Sequence, residues 1–168
     1  FLNSSSSINY VECHDNFTLF DKLKITNVEN TNEERNNIQL CMLAAILLAQ
    51  GTPFLHMGTE FNRTKKGNEN SYNAGDKINM IRWESIDENI KNIKAVRDFI
   101  KIRKTFPCFN IGNRKKILNS VDGQIFDGVL QITYAYNGDV IILLFNPTNQ
   151  KVLINLNGDY KLYANQLG

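Results

Sequence analysis

The chain has 168 residues, which is enough for one ordinary domain or for part of a larger protein. Hydrophobic residues make up 42% and charged residues 21%, a composition typical of a globular protein with a core. The 19 basic and 17 acidic residues leave a formal net charge of +2, which gives no electrostatic case for nucleic acid. The densest basic stretch, Arg114-Lys115-Lys116, lacks interleaved aromatics, so we expect a solvated surface there and no nucleic-acid partner.

Cysteine usage and hydropathy bear on the compartment. Cys13, Cys41 and Cys108 are an odd number at long spacing, which suggests neither a disulfide framework nor a CxxC metal site. This favours a reducing compartment, so we expect a cytoplasmic rather than a secreted protein. The longest apolar run, residues 40–49, is about half of what a bilayer needs, and no membrane partner is expected. The chain opens on Phe1 without an initiator Met, so the lack of a signal peptide carries little weight.

The first predicted elements are a strand and a helix. Residues 8–13 alternate and are rich in β-formers, which predicts a strand that runs directly into the polar His14-Asp15-Asn16. A polar linking stretch, residues 26–32, follows. Thr31 and Glu34 have the spacing of a capping box, which predicts a helix over residues 33–50 with Gly51 as its C-cap.

A second strand and a second helix follow in the same order. Residues 54–57 form a short apolar segment between Gly51 and Gly58, which predicts a buried strand. Residues 60–82 are polar and irregular, and a loop of this length in a compact domain is usually functional. Helical spacing resumes over residues 86–106, and Pro107 ends it.

The rest of the chain has β-type patterns. Residues 128–136 and 139–145 flank Asn137-Gly138, which predicts a hairpin. Residues 151–156 and 160–163 are predicted as further strands. We therefore predict two parts, an α/β part over residues 1–106 and an all-β antiparallel domain over residues 107–168.

The α/β part is too small to be a complete domain. Two βα units cannot close a barrel or cover both faces of a parallel sheet. Residues 1–106 are therefore expected to belong to a larger domain. Such a part leaves strand edges and apolar helix faces uncovered, so we expect the chain to self-associate through them.

Two polar segments follow the predicted strands, where α/β proteins gather their functional side chains. They are His14-Asp15-Asn16 and the loop that begins at Gly58. A His–Asp pair in this position suits sugar binding, metal ligation or general base catalysis, whereas Asp and Asn are also common in plain turns. A metal site would need another ligand, and His56 lies in an apolar segment that favours a core position. No Ser or Cys has a recognisable nucleophile motif.

Two stretches resemble a known enzyme family. Residues 8–23, which contain His14-Asp15-Asn16, are similar to the fourth signature region of the α-amylase superfamily, glycoside hydrolase family thirteen. Residues 51–65, followed by residues 70–79 and Trp83, resemble the strand-eight region of that family. Arg63-Thr64-Lys65 and the Asn-Ser-Tyr-Asn-Ala-Gly-Asp stretch are closest to type I pullulanases and related debranching enzymes. The specific resemblance covers about residues 8–109.

The resemblance implies a fold and residue roles. The fold would be strands seven and eight of a (β/α)8 barrel with their helices, followed by a C-terminal antiparallel β-sandwich. Asp15 would be the catalytic carboxylate that stabilises the oxocarbenium-like transition state, and His14 would bind hydroxyls of the same sugar. An α-glucan polysaccharide or oligosaccharide would be the ligand, and neither a cofactor nor a metal is implied. Other substrate-binding residues would be Asn16, Arg63, Asn70 and Tyr72, although each loop residue also has a purely structural interpretation.

The resemblance does not supply a whole catalytic site. A retaining glycosidase needs a nucleophile and a general acid about 5 Å apart, and in this family they lie after barrel strands four and five. Neither segment is recognisable here, and Glu12 and Glu60 are not expected to replace them. We therefore expect part of an enzyme that cleaves α-1,6-glucosidic branches in pullulan, glycogen or limit dextrin, with this chain inactive alone.

Two alternatives stay open. One keeps the superfamily but changes the reaction to α-1,4 cleavage or transglycosylation. The other is a non-catalytic carbohydrate-binding or structural module, in which tyrosines of the β domain form a sugar platform. These are Tyr134, Tyr136, Tyr160 and Tyr163. Tyr134 and Tyr136 share one strand face, where packing is the commoner reason for aromatic side chains.

Overall fold

The computed structural model describes residues 3–148 and 150–165. Within them, the helices are α1 (Leu19–Thr26), α2 (Asn32–Leu47), α3 (Asp76–Asn79), α4 (Ser85–Glu88), α5 (Ile90–Thr105) and α6 (Arg114–Ser120). The strands are β1 (Ile8–Asn9), β2 (Thr52–Pro53), β3 (Val121–Phe126), β4 (Val129–Tyr136) and β5 (Asp139–Phe145). Short 3₁₀ turns cover Ser4–Ser6, Thr59–Phe61 and Pro107–Asn110.

β1 and β2 pair in parallel, as two consecutive βα units do. The pairing is short: the Thr52 amide donates to the Ser7 carbonyl at 2.8 Å, and the Phe54 amide donates to the Asn9 carbonyl at 2.9 Å. The predicted strand over residues 8–13 is confirmed only for its first two residues, and the one over residues 54–57 is wrong. Within the described residues, β1 and β2 are hydrogen-bonded only to each other. Their pairing therefore ends where the two strands separate.

α1 was not predicted, and it lies directly after the polar turn. Thr18 caps it by accepting from the Asp21 amide at 3.2 Å, and Leu19 and Leu23 are buried one helical turn apart. This helix lies beside α2 and gives the turn a rigid C-terminal support.

The predicted capping box of α2 is confirmed. The Thr31 hydroxyl accepts from the Glu34 amide at 3.2 Å, and the Glu34 carboxylate accepts from the Thr31 amide at 2.7 Å. The helix ends at Leu47, so Gly51 is not its C-cap. Gly51 instead has φ +103°, and a Cβ there would approach the Ser7 carbonyl oxygen to 3.1 Å. Glycine is therefore needed where β1 crosses this loop.

α5 packs on α2 and forms the centre of the core. The predicted helix over residues 86–106 is confirmed from Ile90 to Thr105, with the separate turn α4 before it. The main apolar cluster includes Leu43, Leu47, Val96 and Phe99. No helix of the described residues is long and apolar enough to cross a membrane.

The C-terminal part contains a three-stranded antiparallel sheet in the order β3-β4-β5. The predicted hairpin is confirmed, since Tyr136 pairs with Asp139 across Asn137-Gly138, both of which have positive φ. β3 and α6 were not predicted. The basic residues at the start of α6 are exposed, as expected for a solvated surface.

Residues 151–156 and 160–163 are not strands, so both of those predictions are wrong. Their alternating pattern satisfies a strand template, but this segment makes no backbone ladder within the described residues. The second sheet of a sandwich is therefore not confirmed. The division at residue 106 stays a prediction, and residues 1, 2, 149 and 166–168 of the two predicted domains lie outside the described residues.

Candidate active site

His14, Asp15 and Asn16 form an exposed polar turn between β1 and α1. The ring nitrogen Nε2 of His14 lies 3.4 Å from Oδ2 of Asp15, and the two side chains are 83% and 75% exposed. Asn16 has φ +60°, a left-handed conformation that Asn tolerates better than most residues. Both side chains of the pair therefore point to solvent, where a sugar could reach them.

A buried lysine fixes the backbone of this turn. Lys65 is 1% exposed, and its ammonium group donates to the His14 carbonyl oxygen at 3.0 Å. A fully buried lysine is rare, because desolvating the ammonium costs free energy unless polar partners compensate for it. The loop after β2 therefore carries the lysine that positions the turn after β1.

Asp21 on α1 completes this connection. Its carboxylate accepts from the Lys65 amide at 2.7 Å and from the Thr64 hydroxyl. Asp21 itself is buried. The first turn of α1 and residues 64–65 consequently form one rigid unit beneath the His14–Asp15 pair.

Arg63 is bonded to its own loop. Its Nη1 lies 3.0 Å from Nε2 of His56 and donates to the Met57 carbonyl at 3.1 Å, while Nη2 donates to the Asn79 carbonyl at 2.8 Å. These contacts join the two ends of the long loop. They support the structural interpretation of Arg63, and its role as a sugar ligand stays a prediction.

Glu12 and His56 form a buried polar pair behind the turn. Oε2 of Glu12 accepts from the Leu19 amide, and Oε1 lies 3.9 Å from Nδ1 of His56. Burial raises the pKa of Glu12, opposed first by the Thr59 side chain and then by the Leu19 hydrogen bond and the Arg63 charge. Burial and the Arg63 charge lower the pKa of His56 to about 4. The His56 side chain is thus nearly buried, close to the core position expected for it.

Asn62 connects the loop to the helices behind it. It has φ +60°, accepts from the Gln39 amide nitrogen at 2.8 Å, and donates to Oδ1 of Asn89 at 2.6 Å and of Asn36 at 3.1 Å. Asn36 also exchanges two hydrogen bonds with Asn92 on α5. This amide cluster anchors the residue that precedes Arg63 to α2 and α5.

Asn70 and Tyr72 lie further along the loop, and both are exposed. Tyr72 is 83% exposed, although Ser71 beside it is buried and its carbonyl accepts from Asn79 Nδ2 at 2.6 Å. The loop therefore presents an aromatic ring and an amide to solvent from a fixed backbone, as a sugar-binding loop would. Their roles stay predictions.

Cys13, His14 and Asp15 also offer three possible metal-ligand atoms within 4.8 Å of one another. Thiolate, imidazole and carboxylate are ligands that zinc accepts, but a closed structural zinc site has four protein ligands. Two of the three side chains are exposed and coincide with the proposed sugar site. The trio by itself does not define a resident metal.

The β part has its own groove, which neither His14 nor Asp15 lines. It lies between the sheet and the C-terminal segment, with a volume of about 440 Å³, and Tyr160 lines it. Tyr134 is not part of it: its ring packs 5.0 Å from Phe109, and its hydroxyl donates to the Leu48 carbonyl at 2.9 Å. The packing interpretation of Tyr134 is therefore confirmed.

Sequence reasoning found the exposed residues of the site but missed those that hold them. Lys65 was recognised only as part of a family motif, and Asp21 and Glu12 had no assigned structural role. One signal was available for Asp21: Thr18 precedes it by three residues, the spacing of a helix N-cap followed by an acidic residue. No sequence signal marks Lys65 as buried.

Comparisons with known proteins show what the chain is similar to. No protein-family model matches the chain. Pullulanase of Bacillus subtilis strain 168 is 42% identical over 107 residues, covering 64% of this chain and 15% of that protein. Glycogen debranching enzyme of Yersinia enterocolitica is 29% identical over 133 residues, covering 62% of this chain and 20% of that protein. The solved pullulanase of Anoxybacillus sp. LM18-11, complexed with maltotetraose, has a TM-score of 0.89 at 31% identity and covers 95% of this chain.

The chain spans 24% of that solved pullulanase and smaller shares of the two sequence relatives. In sequence and fold the chain is similar to part of proteins named pullulanase and glycogen debranching enzyme. Within that class, the chain is homologous to a part of the pullulanases.

Proposed function

We propose that the chain is part of a retaining glycoside hydrolase that cleaves α-1,6-glucosidic branches in pullulan, glycogen or limit dextrin. The observation that carries the proposal is the exposed His14–Asp15 pair on a turn that buried Lys65 fixes. Homology to pullulanases, one of which is solved with maltotetraose, supports an α-glucan as the ligand. β1 and β2 would then be neighbouring strands of a (β/α)8 barrel.

In this proposal Asp15 acts electrostatically. Its carboxylate accepts hydrogen bonds from sugar hydroxyls and stabilises the positive charge that develops as the glycosidic bond breaks. His14 donates to hydroxyls of the same sugar, and its contact with Asp15 keeps both groups on one side of the ring. Tyr72 would stack on a neighbouring sugar face, with Asn16 and Asn70 hydrogen-bonding to its hydroxyls.

The bond-breaking groups would come from other barrel strands. There a nucleophile bonds to the anomeric carbon while a general acid protonates the leaving oxygen, and water then releases the sugar. Glu12 is buried and bonded to Leu19, which does not suit either role. We propose that residues 1–168 alone do not hydrolyse pullulan. The free cysteines among the described residues are consistent with a cytoplasmic enzyme, which is also a proposal.

The test is Asp15→Asn in an enzyme that contains this segment, with Asp159→Asn as an exposed control. We expect kcat on pullulan to fall about a hundredfold or more, the size of losing one preorganised electrostatic group, with a modest change in KM. Near-normal turnover would remove Asp15 from the mechanism. Tight binding of maltooligosaccharides by the chain alone, lost on changing Tyr160 but not Asp15, would favour the β groove as the sugar site.

A further inference from the structure

The contact between Arg63 and His56 determines where His56 carries its proton. Nη1 of Arg63 lies 3.0 Å from Nε2 of His56. A guanidinium group has only donors, so Nε2 must be the unprotonated acceptor. Neutral His56 then carries its proton on Nδ1.

Nδ1 faces Glu12. The Nδ1 to Oε1 distance of 3.9 Å exceeds a direct hydrogen bond, but a carboxylate at this distance favours an N–H over a lone pair directed at it. Both side chains are nearly buried, 12% and 3% exposed, so solvent weakens the attraction little. The charge of Glu12 and the donors of Arg63 therefore select the same tautomer from opposite sides of the ring.

Glu12 also closes the base of the catalytic turn. It precedes the turn, and its Oε2 accepts from the amide of Leu19, seven residues later, at the first residue of α1. His14, Asp15 and Asn16 lie inside the loop that this bond closes. On the other side of His56, Arg63 holds the Met57 and Asn79 carbonyls of the second loop.

We propose that Glu12 and His56 are positioning residues that set the His14–Asp15 turn against the Arg63 loop. Neither touches the substrate. Together with Arg63 they connect two loops that would each line one side of the glucan cleft. The catalytic consequence of this connection rests on the proposed function, whereas the tautomer and the connection itself do not.

The first experiment is independent of catalysis. His14 and His56 are the two histidines of the chain, so His14→Asn leaves His56 as the single imidazole in a nitrogen-15 NMR spectrum. We expect a neutral ring protonated on Nδ1 at pH 7. Glu12→Gln places an amide N–H towards Nδ1 and should shift the population towards the Nε2–H form. A ring protonated on Nε2 in the parent, or a tautomer unchanged by Glu12→Gln, would overturn the proposal.

The second experiment measures kcat and KM in the complete enzyme. Glutamine can present an acceptor near the Nε2 position and a donor on the other side, whereas leucine can do neither. We expect His56→Leu to lower kcat about tenfold or more with a smaller change in KM. The kcat of His56→Gln should lie within about threefold of the parent value. Tyr134→Phe removes one buried hydrogen bond remote from the site and controls for general destabilisation.

Equal losses in the leucine and glutamine variants, or a loss in Tyr134→Phe as large as that in His56→Leu, would contradict the positioning role. If His56→Leu does not fold, Glu12→Gln is a nearly isosteric second variant, with an expected kcat loss of the same direction. If Asp15→Asn has unchanged turnover while His56 is protonated on Nδ1, the proposed function is wrong. The connection of the two loops through Glu12, His56 and Arg63 is then still supported.

Discussion

The ammonium group of Lys65, a residue that is 1% exposed, donates to the carbonyl oxygen of exposed His14 across 51 positions of sequence. The contact is directed at the backbone and leaves both side chains of the His14–Asp15 pair free for a ligand. The conformation of the His14–Asp15 turn therefore depends on Lys65, a buried residue that is not itself a proposed sugar ligand.

Lys65→Met should loosen the turn without removing any group from the cleft. Methionine keeps most of the buried stem but cannot donate to the His14 carbonyl, so that acceptor loses its charged partner. We expect a loss of about 1.5–3 kcal/mol in the free energy of unfolding, the value of a hydrogen bond to a charged group. Urea denaturation measures it, and turnover should fall as well.

Lys66→Met is the matched control for this change. Lys66 is the adjacent residue, is exposed, and has φ +54°, so the same substitution is made where no buried ammonium is lost. Its effect should stay within about 0.5 kcal/mol. Equal effects of the two substitutions would show that Lys65 does not hold the turn.

Asn62 combines a left-handed backbone with a central place in the amide cluster, and two substitutions separate these contributions. Asn62→Gly keeps the φ of +60° without cost but removes the bonds to Gln39, Asn36 and Asn89. Asn62→Ala removes the bonds and adds backbone strain of about 1–2 kcal/mol. We expect both to be less stable than the parent in thermal unfolding, with alanine worse than glycine. Glycine as stable as the parent would mean that the cluster contributes nothing.

Acid should destabilise the protein through His56. Its pKa is lowered from 6.5 to about 4, first by burial and then by the charges of Arg63 and Lys65 and by His14. Between these values the unfolded chain binds the proton and the folded chain does not, so this contribution to stability is lost as pH falls from 6.5 towards 4. Glu12 faces the other ring nitrogen, and its raised pKa acts in the opposite direction at the acid end of this window.

His56→Gln isolates the histidine contribution, because glutamine does not titrate. Urea midpoints at pH 7, 5.5 and 4.5 should fall less steeply in this variant than in the parent. Parallel pH dependences in the two proteins would exclude His56 as the source.

The face around β1 and β2 should make the isolated chain self-associate. Ile8, Tyr10, Phe54 and Met57 are all substantially exposed there, and the Tyr10 and Phe54 rings meet edge to face at 6.4 Å. Such an apolar surface on a two-stranded sheet favours contact with another copy. Sedimentation of the chain should depend on concentration, and Tyr10→Ser with Phe54→Ser should weaken the dependence. Tyr72→Ser, at an exposed ring elsewhere, should not, and a clean monomer of the parent would contradict the expectation.

Local chemistry determined what the sequence could predict. The capping box of Thr31 and Glu34, the Asn137-Gly138 hairpin and the polar turn at His14 each depend on residues close in sequence, and all were found. The lengths of the strands were not predicted correctly, because a strand extends only as far as its hydrogen-bonded partner does. The alternating residues 151–156 show the same limit, since the pattern does not specify a partner.

Some residues of the candidate site could be predicted from the sequence and others could not. Exposed polar residues after strands are recognisable by type and by position, so His14 and Asp15 could be named as candidates, whereas Tyr72 was named through the family resemblance. Lys65 could not be placed, because composition assigns lysine to the surface, and its burial follows from the distant Asp21 and His14. α1 was missed because residues 17–25, between the turn and the linker over residues 26–32, were assigned to no element, although Thr18 is a residue type that caps helices.

The shared unit of α1 and residues 64–65 also limits how this region can be exchanged between enzymes. Grafting a long loop that lacks Thr64 and Lys65 onto this chain would remove the partners of Asp21 and the lysine that supports the turn. Grafting the turn alone would change the position of the residue-14 carbonyl oxygen that accepts from Lys65. Chimaeras should therefore exchange residues 12–26 and 56–66 together, although the 29 residues 27–55 separate the two segments in sequence.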